Sequence, residues 1–279
     1  MMGAMELLRL KDVIAEFPHV DDPDVVEKAK SNRALRSALE MTRPENWRGS
    51  GLTPEQILPV AIVDGIPVAW VPPADVLKAL VGTPSGRRVA ELTKHTDEIL
   101  KDCRTRIGQS NDELAADEST LVRRALDAFE AGYHEAAMAL AVAVGESLAL
   151  WASEPRVHFF DSREEMIAWD ELRKKEKYNL AKLELAAVSP AQPTNPHEVL
   201  RHALIGPIPR FFTPFWGREG EAMPATTSRH ATVHKPTVRH LSTENALLAI
   251  MLATSILRES QAWCEEVRIM DVHAEEEED

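Results

Sequence analysis

Apolar side chains return every three or four positions along most of this chain, and that spacing predicts helices. Residues 1–40 read as helical, with breaks at Arg43-Pro44 and at Arg48-Gly49-Ser50-Gly51, and Thr53-Pro54-Glu55 opens a new element. Residues 57–70 (ILPVAIVDGIPVAW) have a different texture: Val and Ile gather around a central Asp64-Gly65. Two short apolar runs about an Asp-Gly pair predict a β-hairpin over 57–71, with Pro59 and Pro67 keeping it at an edge. After Pro72-Pro73, the spacing of Val76, Leu77, Leu80 and Val81 predicts a short helix closed by Gly82 and Pro84. Val89, Leu92, Thr96, Ile99, Leu100 and Cys103 predict one longer helix over 87–107.

From about residue 116 the helical period is cleaner. Ser119 reads as an N-cap before Leu121, Val122, Ala125, Leu126 and Phe129, and Gly132 as a left-handed stop. A second helix runs from Tyr133 to about Trp151, rich in Ala, whose small side chains let backbones approach closely. A third, with a charged middle, is expected over 163–187, and Asn195-Pro196 caps and opens a short one. Prolines and aromatics then alternate from Gly206 to Pro224 in what reads as a loop, before a last helix from Ser242 to about Val267. The expected architecture is mainly α: a C-terminal helical bundle over 116–270, a smaller α+β N-terminal region over 1–115 containing the hairpin, and a disordered acidic tail over 271–279.

Composition fits this outline. Of 279 residues, 44% are hydrophobic and 5% aromatic, enough apolar material for a sizeable core and weighted toward helix formers. No run of about 18 residues is both apolar and uncharged, so no membrane-spanning helix is expected. The opening MMGAMELLRLKD lacks a basic-then-apolar leader, and the expectation is a cytoplasmic protein. Cys103 and Cys264 stand far apart and match no metal spacing, so both are expected as reduced, buried thiols. The net charge of −13, to which the five acids from Glu275 to Asp279 contribute, argues against whole-molecule attraction to nucleic acid and leaves room for a local basic site.

Such a site is suggested between His197 and His240, where six Arg and Lys face three acids and five of the chain's ten histidines gather. Within it, Ser228-Arg229-His230-Ala231-Thr232-Val233-His234-Lys235-Pro236 combines a permanent cation with a titratable imidazole. Metal-free RNA cleavage needs those two services: one group moves the proton of the 2′-hydroxyl or of the leaving oxygen, and a fixed cation stabilises the charge on phosphorus. The spacing of five puts both side chains near one face of a helical turn, or across its end. Glu146, in an otherwise apolar run, either faces a partner or a cleft, where pairing with Arg229 would orient the guanidinium, or lies on an exposed stripe. Arg210, Phe212, Trp216 and Arg218 offer rings and cations to single-stranded bases, although core or dimer-interface packing is the safer reading of the aromatics. His230 and His234 lie four apart, but no Glu follows His230 as in a zinc-protease helix, and neither metal nor cofactor is expected.

Arg229-His230-x-x-x-His234 resembles the Arg-polar-x-x-x-His signature of the HEPN superfamily, small helical-bundle domains found in ribonuclease toxins, abortive-infection proteins and RNA-processing systems. The segment ALDAFEAGYHEAAMALAVAVGESL resembles the first helix pair of such domains, so the likeness covers about residues 119–267. Residues 57–103 are similar to a stretch of actinobacterial proteins with the same downstream pattern, a likeness that brings no activity with it. The resemblance implies Arg229 and His234 as the catalytic pair, His230 at the polar position, and a homodimer with two motifs facing one cleft; Glu146 and Lys235, which the residues themselves offer, are expected in support, with Lys235-Pro236 standing where similar sequences commonly have Gly. It implies an endoribonuclease of defence or toxin type acting on RNA; the other reading is a non-catalytic interaction or ligand-binding module on the same bundle.

Overall fold

The computed structural model describes residues 44–108, 116–152, 196–212, 214–218 and 221–278, together with Ile167, Glu171 and Lys174; side chains are described up to residue 262, those of 196–198 excepted. Among these residues all regular structure is helical. The expected helix over 1–40 lies outside them, as does most of that over 163–187, where Ile167, Glu171 and Lys174 are helical.

Helix α1 (Glu45–Ser50) is followed by α2 (Pro54–Ile62), and α2 replaces the expected hairpin. Pro54 sits in the first turn, where no N–H is needed, and the side chain of Gln56 accepts the Thr53 N–H at 2.9 Å. Ile57, Leu58, Val60 and Ala61 are the buried positions, a helical rather than an alternating set. Asp64-Gly65 is a turn, as expected, but it ends a helix: Gly65 has φ +68°. The chain then runs from Ile66 to Pro73 as irregular backbone, bent at Ala69, Trp70 and Pro72 and paired to no strand among the described residues, although Ile66, Val68, Ala69 and Val71 are completely buried. Side chains satisfy its carbonyls. Asn46 Nδ2 donates to Val68 O at 2.9 Å and to Pro72 O at 3.0 Å, and Trp47 Nε1 donates to Val68 O at 2.8 Å. The prolines at 67, 72 and 73 have no N–H to satisfy, which is why a buried irregular segment is tolerable here.

Helix α3 (Ala74–Gly82) matches its expected span, but the single helix over 87–107 is two, α4 (Arg88–Lys94) and α5 (Thr96–Gly108). The interruption falls at His95 between two threonines whose hydroxyls bond back to the chain, Thr93 to Val89 O at 2.7 Å and Thr96 to Thr93 O at 2.8 Å. Helix α6 (Ala116–Glu130) starts three residues before Ser119, which is buried inside it rather than capping it. Gly132, at φ +84°, closes α6 as expected, with Tyr133 N donating to Ala128 O at 2.8 Å and Gly132 N to Phe129 O at 2.9 Å.

Helix α7 (His134–Ala152) is the centre of the bundle, with α6 and α11 (Thr243–Glu278) packed along it. Ala137, Ala141 and Ala149 are buried, and such small side chains allow the close approach. By length and composition α7 is apolar enough to cross a membrane, contrary to the sequence expectation, but half of it is buried against other helices. Helix α8 (Pro196–Ile205) packs on α2 and on α9 (Ile208–Phe212), and α10 (Arg229–His234) lies against α7 and α9. Helix α11 runs well beyond Val267, and where a disordered acidic tail was expected the backbone stays helical to Glu278: residues 243–278 hold neither Gly nor Pro, and Ala, Glu and Leu favour the helix.

The core does not divide at residue 115. One hydrophobic cluster joins Ile57, Leu77 and Ile99 of the N-terminal helices to Leu126, Met138, Leu204 and Leu247 of the bundle. Trp70 ties the irregular segment to α11. It has φ +67° in a three-residue turn (Val71 N to Ala69 O, 2.8 Å), its indole N–H donates to Glu259 at 2.7 Å, and the Arg258 guanidinium lies 5.0 Å over its ring.

Candidate active site on helix α10

Helix α10 is six residues long and holds both ends of the expected motif. Ser228 caps it, accepting the Ala231 N–H on its hydroxyl at 3.3 Å. Beneath the helix lies a buried polar cluster that sequence reasoning missed. Thr232 Oγ1 donates to Ser228 O at 2.7 Å, and His240 Nε2 lies 3.2 Å from the same carbonyl and 3.4 Å from Thr232 Oγ1. Asn245 Nδ2 donates to His240 O at 2.8 Å, and Thr227 Oγ1 to Asn245 O at 2.9 Å. Thr227, Ser228 and His240 are almost wholly buried, so this network bolts α10 to the start of α11. Burial holds the His240 imidazole below its ordinary pKa, against the opposing hydrogen bonds to the Ser228 and Pro224 carbonyls. A signal was present in the sequence: His240 sits just ahead of the polar run Ser242-Thr243-Glu244-Asn245 that starts a helix.

On the outer side, Arg229 Nε donates to Glu146 Oε2 of α7 at 3.1 Å, the pairing the sequence suggested. Among the described residues the two Nη groups of Arg229 make no hydrogen bond, so the end of the fork is open. Five helical positions rotate a side chain by about 140°. Accordingly Arg229 turns toward α7, while His234 is exposed and makes no hydrogen bond among the described residues. His230 and His234, four apart, share a face, with ring centroids 5.6 Å apart. Trp216 meets His230 edge-on at 5.5 Å. Burial, then the nearby Arg229 and His234, lower the His230 pKa, with Glu146 opposing.

The loop before α10 is held by two contacts. Glu221 accepts the backbone N–H of Trp216 at 3.1 Å and of Arg218 at 3.0 Å; these bonds lower its pKa and leave Trp216 63% exposed beside the histidines. Lys235 donates to Gly217 O at 2.8 Å, and Gly217, at φ +60°, has no room for a Cβ against the lysine stem. Lys235 therefore positions the loop rather than facing a phosphate.

Two residues expected to bind RNA are otherwise engaged. Phe212 is buried in the core with Phe211 and offers no face to a base. The Arg210 guanidinium donates to Asp64 O at 3.3 Å and to Val63 O, and lies against Gly65, where it caps the end of α2. Arg218 stays exposed on the same loop as Trp216. The structure thus gathers Arg229, His230, His234, Glu146, Trp216 and Lys235, and leaves Arg210 and Phe212 to the scaffold. Among the described residues no three His, Cys, Asp or Glu side chains converge as a metal ion would require. Cys103 is fully buried and its thiol is pushed up to about 12 by that burial, which makes it a packing residue. Chemically, the arrangement offers an anchored cation with a free fork, one open imidazole and one half-buried imidazole on one six-residue helix. No protein-family model matches this chain, and no curated protein or solved structure matches it.

Proposed function

We propose that the chain is a metal-independent endoribonuclease of defence or toxin type, acting in the cytoplasm as a HEPN-like homodimer. The observation that supports this most is the pairing of Arg229 with Glu146 through Nε alone, on the same short surface helix as the open His234. An arginine held by Nε presents Nη1 and Nη2 as a fixed fork, the geometry that grips two phosphate oxygens. A solvent-open imidazole can take a proton from the 2′-hydroxyl or give one to the leaving 5′-oxygen. In that reaction the 2′-oxygen bonds to phosphorus, the bond from phosphorus to the 5′-oxygen breaks, and the products are a 2′,3′-cyclic phosphate and a 5′-hydroxyl. Arg229 stabilises the added charge on the phosphoryl oxygens, and Glu146 holds the fork in place.

The test compares the wild type with His234→Ala and Arg229→Ala. Purified protein is incubated with RNA in the presence of a chelator, and induced cells are followed for growth and RNA integrity. Each variant is expected to lose about 100-fold or more of the cleavage rate. Equal behaviour of all three proteins overturns the nuclease reading. It would favour the other one, a non-catalytic interaction module, which the exposed Trp216, Val233 and Val238 around the same helix support.

A further inference from the structure

The family pattern leaves open what the second histidine does. We propose that His230 is a neutral hydrogen-bond donor, giving its Nε2–H to a phosphate oxygen held by Arg229, and that it moves no proton. This rests on the nuclease reading for its substrate, and on geometry for its chemistry.

His230 Nδ1 is buried and has no hydrogen-bond partner among the described residues, so Nε2 is the ring nitrogen left for the surface. That asymmetry orders the three states of the ring. The imidazolium carries two N–H donors, one of which would be stranded in a dry spot. The neutral form with hydrogen on Nδ1 strands the same donor. Only the form with a bare Nδ1 and hydrogen on Nε2 buries no unpaired N–H. A general base would need the lone pair on Nε2, which belongs to the disfavoured form. A donor to a phosphate oxygen needs the favoured one.

The surroundings agree. Arg229 and His234 flank His230 on its own helix, Glu146 faces it from α7, and the edge of Trp216 packs on it from the loop. Two cationic or titratable neighbours disfavour a further positive charge, and burial adds to them; together they outweigh Glu146 and hold the imidazole below its ordinary pKa. The 5.6 Å between the His230 and His234 rings lets one phosphate group touch both, and Arg229, though turned toward α7, is near enough to act on the charge of His230. Proton transfer then falls to His234, which is exposed and has no buried nitrogen to satisfy.

The substitution that separates donor from base is His230→Gln, whose amide N–H lies near the place of Nε2 but cannot titrate at these pH values. Gln is expected to keep cleavage within about tenfold of wild type with an unchanged pH profile, while His230→Ala falls about 100-fold, the size of losing one donor to a developing oxyanion. If Gln is as inactive as Ala, or removes one limb of the pH profile, His230 moves a proton and the proposal is wrong. Nitrogen NMR of the imidazoles gives a readout that does not depend on cleavage. It is expected to show hydrogen on Nε2 in the neutral ring, a titration midpoint below that of an ordinary imidazole, and a shift of the Nε2–H signal on adding inorganic phosphate. Hydrogen on Nδ1, a midpoint at or above the ordinary value, or a phosphate titration that leaves His230 unmoved overturns the proposal. Absence of RNA cleavage with the expected NMR result would instead overturn the nuclease reading and leave His230 as an anion donor.

Discussion

Three histidines in a stretch of 11 residues have three different fates, decided by what surrounds each nitrogen. His234 is open to water, His230 is half-buried with one nitrogen shut in, and His240 is 1% exposed within a polar network. His240 has the structural role. Replacing it with Ala would remove the ring that meets Ser228 O and the Thr232 hydroxyl and leave a cavity beneath α10, at a cost of about 1–3 kcal/mol. Because its folded pKa is depressed, its contribution is complete above the unfolded value of about 6.5 and is lost as pH falls toward the folded value. Urea unfolding of wild type and His240→Ala should therefore differ at pH 7.5 and converge toward pH 5. A difference that persists unchanged, or grows as pH falls, would contradict this role.

At the scale of elements, short helices are held by side chains that reach their ends. Asp64 accepts Ser85 Oγ at 2.6 Å and Gly86 N at 3.4 Å and pairs with Arg88, while Arg88 Nε donates to Leu80 O and Thr83 O at 2.9 Å each. One carboxylate thus joins the end of α2 to the end of α3 and the start of α4. Burial works to raise the Asp64 pKa, but the bonds from Ser85 and Arg88 outweigh it and leave it lowered. Both side chains are nearly buried, 8% and 12% exposed, so losing the acid strands a guanidinium. Asp64→Asn is expected to cost about 3 kcal/mol. The stabilisation from Asp64 is present above an unfolded pKa of about 3.9 and disappears as pH falls through the lower folded value. Chemical unfolding measured from pH 7 down to pH 2 checks both statements; an Asn variant as stable as wild type at pH 7 would refute them.

For the whole molecule, the relevant quantity is how small the basic site is against a net charge of −13. Arg229 and its neighbours can neutralise only two or three phosphates, and each single-stranded contact contributes about −0.7 to the slope of log K against log salt. Binding of fluorescent single-stranded RNA to His234→Ala should then fall with a slope no steeper than about −2. A slope of −4 or beyond would show a broader cationic surface than α10 and its loop provide. The single core running from α2 to α11 has a further consequence. The N-terminal helices are part of what positions α7, and through Glu146 they bear on Arg229.

The mainly helical class, the helix over 74–82, the α6–α7 pair with Gly132 between them, and the Arg229–Glu146 pairing all followed from periodicity, one left-handed glycine and a charge that had to be answered. These depend on neighbours along the chain, or on a partner of which the sequence offers few. The tertiary structure decided what local pattern could not. The apolar run at 57–71 satisfies strand and helix templates alike, and it became α2 and an unpaired buried segment because Asn46 and Trp47 supply the hydrogen bonds a partner strand would have given. Phe212 and His240 went to the core, and the exposed Arg210 to the end of α2, because burial and partners are set by elements far away in sequence, whose approach no motif spacing records.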